Sequence, residues 1–235
     1  MGILKKIVAM GDTHGRDNWK QIVQHEDDAD VFVFIGDYFD SREGISPQTQ
    51  LENFRDILEF KKNNMDKVVL LLGNHDFHYL KEAQEKYSQY QMPMYNLFND
   101  EIQPAVEYSL VQACFVHGNY VFTHAGVTKT WATDYNVDIN DLENSINTLL
   151  LENPSAFRFH MGTNFSNSGD DKDQSPIWVR IPSLLADPLP EVTYIVGHTT
   201  LLELTMIQNL IGIDTLGTTG EYLIIEDNVP RAEKL

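Results

Sequence analysis

Cysteine is almost missing from this 235-residue chain: Cys114 is the single one, so no disulfide can close within it. Set between Leu110-Val111 and Phe115-Val116, Cys114 reads as a small apolar residue in a strand. Basic residues are scarce too, with 17 Lys and Arg against 35 Asp and Glu, for a formal net charge of −18. Beyond Lys5-Lys6 and Lys61-Lys62 no basic cluster occurs, which argues against a partner held through a bare nucleic-acid backbone. The surplus of carboxylates favours solubility and is available to cations. No apolar run approaches the ~20 residues that span a bilayer. Ile7 to Met10 is too short for the apolar core of a secretory signal. Myristoylation is not supported either, since Lys6 stands where Ser or Thr is needed. A cytoplasmic protein away from membranes is expected. Repeats, low-complexity tracts and linkers do not stand out, so residues 1–235 read as one domain, long enough for a well-buried core.

What the chain does contain is short, continuous apolar runs: Lys6 to Met10, Val31 to Ile35, Val68 to Leu72, Tyr120 to Thr123 and Thr193 to Val196. Such runs predict strands covered on both faces. Between them lie helical patterns. Ser46-Pro47 offers a capping hydroxyl and a first-turn proline, and Leu51, Phe54 and Leu58 give the apolar face of a helix that Asn63-Asn64 ends. Further helices are predicted from Phe77 to about Tyr87 and from Ile139 to Leu151. The alternation argues for βαβ units in an α/β fold. From Tyr108 onward strands are expected to dominate, with Ile211 to Asp214 and Tyr222 to Ile225 as a hairpin. Asn164 to Ser175 reads as a long loop that could cover a site.

Each predicted strand ends in a motif rich in polar side chains. They are Gly11-Asp12-Thr13-His14-Gly15, Gly36-Asp37-Tyr38-Phe39-Asp40, Gly73-Asn74-His75-Asp76, Thr123-His124-Ala125-Gly126 and Gly197-His198-Thr199. Open α/β sheets place ligands at the carboxyl ends of their strands, and a glycine there lets the chain turn sharply. Asp, His and Asn without thiolate suit Mn²⁺, Fe or Zn²⁺. Two such ions ~3.5–4 Å apart need a bridging carboxylate. His25, His78, His117 and His160 fall outside the motifs and read as ordinary surface or packing residues.

The series resembles the calcineurin-like metallophosphoesterase superfamily, in the branch of the phosphoprotein phosphatases and symmetrical diadenosine tetraphosphatases. The resemblance runs from Gly11 to at least Thr199, and Ile213-Asp214-Thr215 resembles a late strand of that branch. It implies a four-layer αββα sandwich with two central mixed sheets flanked by helices. It also implies two divalent ions, with Mn²⁺ the first choice. Asp12 and His14 would hold the first, Asp37 would bridge, and Asn74, His124 and His198 would hold the second. A water activated by the ions would attack phosphorus, and His75, oriented by Asp40, would protonate the leaving oxygen. Two departures stand out. The family's phosphate-clamping arginine directly follows the second Asp of the second motif, where this chain has Ser41 and then Arg42; Arg180, in Trp178-Val179-Arg180, is a second candidate. Asp76 replaces the glutamate of eukaryotic protein phosphatases, which points to a bacterial or phage-type relative. The substrate implied is a phosphorylated protein or a small phosphoester. Hydrolysis of a dinucleoside polyphosphate is the alternative, calling for groups such as Arg180, Trp131, Trp178 and Tyr38. An inactive metal-binding scaffold is disfavoured because ligands and acid are all present.

Overall fold

A computed structural model of the chain describes residues 5–160 and 168–235. It begins with β1 (Lys6–Met10), α1 (Trp19–His25), β2 (Val31–Phe34), α2 (Pro47–Asn63), β3 (Val68–Leu71) and the single turn α3 (Asn74–Phe77). Then come α4 (Tyr95–Glu107), β4 (Val111–Gln112), β5 (Phe115–His117), β6 (Tyr120–Phe122), α5 (Lys129–Asp134) and α6 (Leu142–Glu152). The last elements are α7 (Ile181–Ala186), β7 (Thr193–Val196), β8 (Thr205–Ile207), β9 (Leu210–Gly212), β10 (Glu221–Glu226) and β11 (Val229–Lys234).

The strands form two mixed sheets, ordered β11-β10-β1-β2-β3-β4 and β5-β6-β7-β9-β8. β1 to β4 run parallel, and β10 joins β1 antiparallel. In the second sheet β6, β7 and β9 are parallel, with β5 and β8 antiparallel at the edges. Strand side chains alternate between faces. That alternation divides the core. Ile7, Ala9, Val31, Val33 and Leu71 of the first sheet meet Tyr120, Phe122, Ile195 and Ile211 of the second in a layer between the sheets. Their neighbours in sequence, such as Val8, Phe34, Leu70, Val121 and Tyr194, pack instead with helix residues including Trp19, Phe54, Ile57 and Trp131. The αββα sandwich implied by the resemblance is the observed architecture. Among the described residues no helix is long and apolar enough to cross a membrane.

Helix α2 starts as its sequence predicts, with Thr49 N–H donating to Ser46 Oγ at 3.1 Å. Its buried Phe54 contacts Tyr38 and Phe39, ring centroids 4.8 and 5.0 Å away. The helix therefore fixes the loop that carries Asp37 and Asp40. Ile139 to Leu151 is helical as expected, through a 3₁₀ turn (Ile139–Asp141) leading into α6.

Several expectations need correction. No helix runs from Phe77 to Tyr87: α3 stops at Phe77 and turns follow. Tertiary demands override propensity here. Tyr87 N–H donates to His78 Nδ1 (3.2 Å) and Gln91 N–H to Tyr79 Oη (3.0 Å), with both side chains directed to Asp40. Nor do the segments at 211 and 222 form a hairpin. β9 lies between β7 and β8, whereas β10 lies between β1 and β11 in the other sheet. Ile211 and Ile213 enter the layer between the sheets along with Leu223 and Ile225, so the chain crosses from sheet to sheet between them. After Tyr108 strands do outnumber α-helices among the described residues, β4 to β11 against α5, α6 and α7, but the helices interleave with them. Cys114 is buried but falls between β4 and β5, where its N–H donates to Asn147 Oδ1 at 2.9 Å. α4 is not signalled by the pattern, since Pro104 lies inside it.

Candidate metal centre

The five motifs occupy the ends of β1, β2, β3, β6 and β7, and the two sheets bring those ends together. Four of the residues named from sequence have left-handed backbone: His14 (φ 44°), Asp37 (55°), Asp40 (64°) and His198 (62°). Such conformations cost ~1–3 kcal/mol each and persist where the surrounding structure enforces them. The glycines at 73 and 197 serve close approach rather than turning. A Cβ on Gly73 would strike the Asp37 side chain, and one on Gly197 would strike the Asp12 carboxylate.

Backbone carbonyls set the three imidazoles. A carbonyl only accepts, so the ring nitrogen facing it must carry the proton. His14 Nδ1–H donates to Phe39 O (2.6 Å) and His124 Nδ1–H to Ile35 O (2.9 Å), which turns each Nε2 inward. His198 is reversed: Nε2–H donates to Trp178 O (3.1 Å) and Nδ1 faces inward. Partners of this kind fix ring orientation at metal sites. His124 Nε2 and His198 Nδ1 then stand 3.0 and 2.8 Å from Asn74 Oδ1, so three acceptors converge. Asp37 bridges outward from this group, with Oδ1 3.5 Å from His124 Nε2 and Oδ2 3.7 Å from His14 Nε2. Asp12, His14 and Asp37 offer donor atoms all within 4.8 Å of one another.

The electrostatics match a cation site. Burial, followed by the nearby Asp214 charge, pushes the Asp12 carboxyl well above its usual range. Burial lowers His124, but Asp37 and Asp12 outweigh it and push the imidazole up to about 10. A proton on His124 relieves part of the clash among acceptors. A divalent ion would relieve all of it, and carboxylate, imidazole and amide oxygen are the donors such ions take. The residues present therefore fit two ions: Asp12, His14 and Asp37 on one side, and Asp37, Asn74, His124 and His198 on the other.

His75 and Asp40 meet beside this cluster, with Nδ1 2.9 Å from Asp40 Oδ2. Burial lowers His75, yet Asp37 and Asp40 hold it above the usual imidazole range. Asp40 carries more partners than the sequence suggested. Tyr79 Oη donates to its Oδ1 (2.6 Å), and His78 Nε2 sits 2.6 Å from Oδ2. The reading of His78 as an ordinary surface or packing residue is thus corrected: it is wholly buried against the carboxylate of the proposed acid pair. Asp76 is a clamp on the motifs themselves. Its carboxylate accepts from the N–H groups of Gly73 (2.9 Å), Asp37 (2.8 Å) and Tyr38 (2.7 Å).

A cavity of about 910 Å³ opens above these groups. Arg42 and Arg180 both line it, so the one-residue offset at Ser41 does not take Arg42 away. Arg180 donates to Ser168 O (2.8 Å), His198 O (3.1 Å) and Thr199 Oγ1 (3.2 Å), which ties it to the fifth motif. Arg42 is exposed, with one long contact of 3.4 Å to Ser88 Oγ. Sequence reasoning overlooked Arg16 and left Asp214 without a role. Arg16 follows Gly15 of the first motif and lines the cavity, but Glu43 engages its guanidinium on two nitrogens. Of the aromatic groups suggested for a nucleotide, Trp178 lines the cavity, whereas Trp131 and Tyr38 are buried in the core. In the predicted covering loop, residues 164–167 lie outside the described residues, while Ser168 borders the cavity.

A family model described as calcineurin-like phosphoesterase matches residues 5–200. No curated protein matches the sequence. Among solved structures, a mutant of a cold-active protein tyrosine phosphatase superposes with a TM-score of 0.63 at 19% identity, over 98% of this chain and 78% of that one. A protein serine/threonine phosphatase from Saccharomyces cerevisiae, described as similar to human phosphatase PP5, gives 0.57 at 12% identity, over 98% and 80%. At these identities the likeness is one of fold.

Proposed function

Because the chain belongs to the calcineurin-like phosphoesterase family, we propose that it hydrolyses phosphate monoesters in the manner of the serine/threonine protein phosphatases. Membership implies a dinuclear divalent metal centre, and Asp12, His14, Asp37, Asn74, His124 and His198 are the residues that would hold it, with Mn²⁺ the preferred ion. Ions bound there would make water acidic enough to attack phosphorus at neutral pH and would offset charge on the phosphoryl oxygens. Arg180, anchored to the carbonyl of His198, and Arg42 would bind the remaining phosphoryl oxygens, since a guanidinium matches their geometry. His75 Nδ1–H donates to Asp40, leaving Nε2 to deliver a proton to the leaving oxygen. Such transfer contributes ~10²–10⁴-fold. The observation that carries the reading is the convergence of Asn74, His124 and His198 acceptors with Asp12 and Asp37, next to a hydrogen-bonded His–carboxylate pair.

Hydrolysis of an anhydride is the alternative: only part of the nucleotide-binding set named from sequence reaches the cavity, although Tyr87 and Phe159 line it as well. Arg180 and Trp178 line it; Trp131 and Tyr38 do not. Turnover of 4-nitrophenyl phosphate with added Mn²⁺, abolished by chelator, is expected. Folded protein with no metal-dependent turnover overturns the enzyme reading. Phosphopeptides compared with diadenosine tetraphosphate at equal Mn²⁺ then separate the two substrates, and faster cleavage of the latter reverses the preference.

A further inference from the structure

We propose that His78 is a positioning residue for the acid: it holds Asp40 in the orientation that His75 requires. The inference rests on the His75–Asp40 reading above and adds a residue to it. His78 is buried and lies outside every motif. Its Nε2 is 2.6 Å from Asp40 Oδ2, the same oxygen that accepts from His75 Nδ1. The tautomer follows from the opposite edge of the ring. Tyr87 N–H donates to His78 Nδ1 at 3.2 Å, so that nitrogen is unprotonated and the neutral ring carries its proton on Nε2. A donor therefore stands beside the carboxylate.

Asp40 needs such support. It occupies a left-handed backbone position (φ 64°), a conformation that persists where the surrounding structure enforces it. Oδ1 is held by Tyr79 Oη at 2.6 Å and Gln91 Nε2 at 3.3 Å. Oδ2 accepts from His75 Nδ1–H, and His78 Nε2 stands against the same oxygen at 2.6 Å as a close polar contact, its N–H not aligned as a hydrogen bond. Hydrogen bonds to Oδ1 and from His75 to Oδ2, with the His78 ring packed against Oδ2, oppose rotation of the carboxylate away from His75, and a less fully contacted buried carboxylate would be less well ordered. The His78 ring also lies edge-on to His75 (5.5 Å between centroids) and stacks on Tyr87 (5.1 Å, 17° between planes). Tyr87 lines the cavity. One ring thus joins the cavity wall to the carboxylate behind the acid.

A third metal site is the competing use, because Asp40, His75 and His78 present donor atoms within 4.8 Å. The tautomer argues against it. Nε2–H is not a free lone pair, and the Asp40 oxygens are already engaged.

The test uses the Mn²⁺-loaded enzyme with two substrates, 4-nitrophenyl phosphate and an alkyl phosphate with a poor leaving group. His75→Asn sets the reference by slowing the alkyl substrate much more than the aryl one. His78→Phe, which keeps the stack on Tyr87 but removes the donor, is expected to lower kcat on the alkyl phosphate ~10-fold, a fraction of the general-acid contribution. KM and the aryl rate should change little. His78→Gln, which restores an N–H donor, should recover most of the loss. Added to His75→Asn, His78→Phe should cost nothing further, because it acts through His75. Equal losses on both substrates, a full additional loss in the double variant, or loss of one bound Mn²⁺ equivalent in His78→Phe would each overturn the proposal. If His75→Asn shows no leaving-group dependence, the acid reading itself fails, and that result is distinct. Should His78→Phe not fold, Tyr79→Phe, which removes the donor to Oδ1, must reproduce the leaving-group pattern or the inference falls.

Discussion

Asp76→Asn is the sharpest probe of how the motifs are held. The substitution preserves shape but turns one acceptor oxygen into a donor. Gly73 and Asp37 N–H groups share Oδ2, and Tyr38 N–H uses Oδ1. Whichever way the amide is turned, at least one buried N–H then faces an NH₂ group. An unsatisfied buried donor costs ~1–3 kcal/mol, and the surviving bonds lose their charge-assisted strength. Against that, burial and then Asp37 push the wild-type carboxyl up to about 7, so its ionisation inside the fold already carries a cost that Asn escapes. The net loss is ~2 kcal/mol, or a fall in Tm of ~4–8 °C for a chain of this size. Scanning calorimetry in chelator reads that number without metal linkage. Because the same carboxylate fixes the backbone of Asp37, kcat/KM on 4-nitrophenyl phosphate should fall ~10-fold or more, as when the partners of metal ligands are removed. A Tm within about 1 °C of wild type would show that the three bonds contribute no net stability, and the clamp would have to be abandoned.

Three more outcomes are expected. Gly197→Ala drives a Cβ into the Asp12 carboxylate and should weaken Mn²⁺ binding ~10–100-fold by calorimetric titration; an unchanged Kd contradicts the close-approach argument. Mn²⁺ at one hundred times its Kd should stabilise the fold by ~2.7 kcal/mol, seen as a Tm that drops when chelator is added; a Tm indifferent to Mn²⁺ and chelator argues against a bound ion. Glu26 accepts from Lys6 Nζ (2.8 Å) and Tyr222 Oη (2.7 Å), which hold its carboxyl below the usual range although burial pushes it up. A depressed folded-state pKa contributes stability above the unfolded value of 4.5 that is lost as pH falls through the folded value. Glu26→Gln should therefore flatten the fall in Tm below about pH 4.5, and a wild-type slope in the variant would contradict it.

The strand ends were legible because their cause is local. An apolar run followed by Gly and then Asp, Asn or His states both where the strand stops and what projects from it, as at Asp12, Asp37, Asn74 and His198, while the assignment of six ligands comes from the family resemblance. The sandwich came from resemblance rather than from periodicity, because no local pattern says that β9 and β10 belong to different sheets. The error at Phe77 to Tyr87 has the same origin. Nothing in the order His78-Tyr79 reveals that Asp40, 38 and 39 residues earlier, will claim both side chains. His78 was passed over for that reason, and Asp76 looked like a departure from a motif when it is a clamp on three backbone amides. What depends on long-range partners stayed hidden until the partners were placed.

The imidazole of His124 leaves the second sheet and is caught by the carbonyl of Ile35, just beyond a strand of the first. His198, also from the second sheet, donates its backbone N–H to the Asp12 carboxylate of the first. The ligand set is thus stitched across a seam, and the spacing it offers two ions works as a caliper for slip between the sheets. Ile35, Ile195 and Ile213 fill that seam at the end nearest the stitches. Their bulk sets how closely the two sheets approach beneath the proposed ligands, so the stiffness of an apolar layer would bear on the chemistry above it.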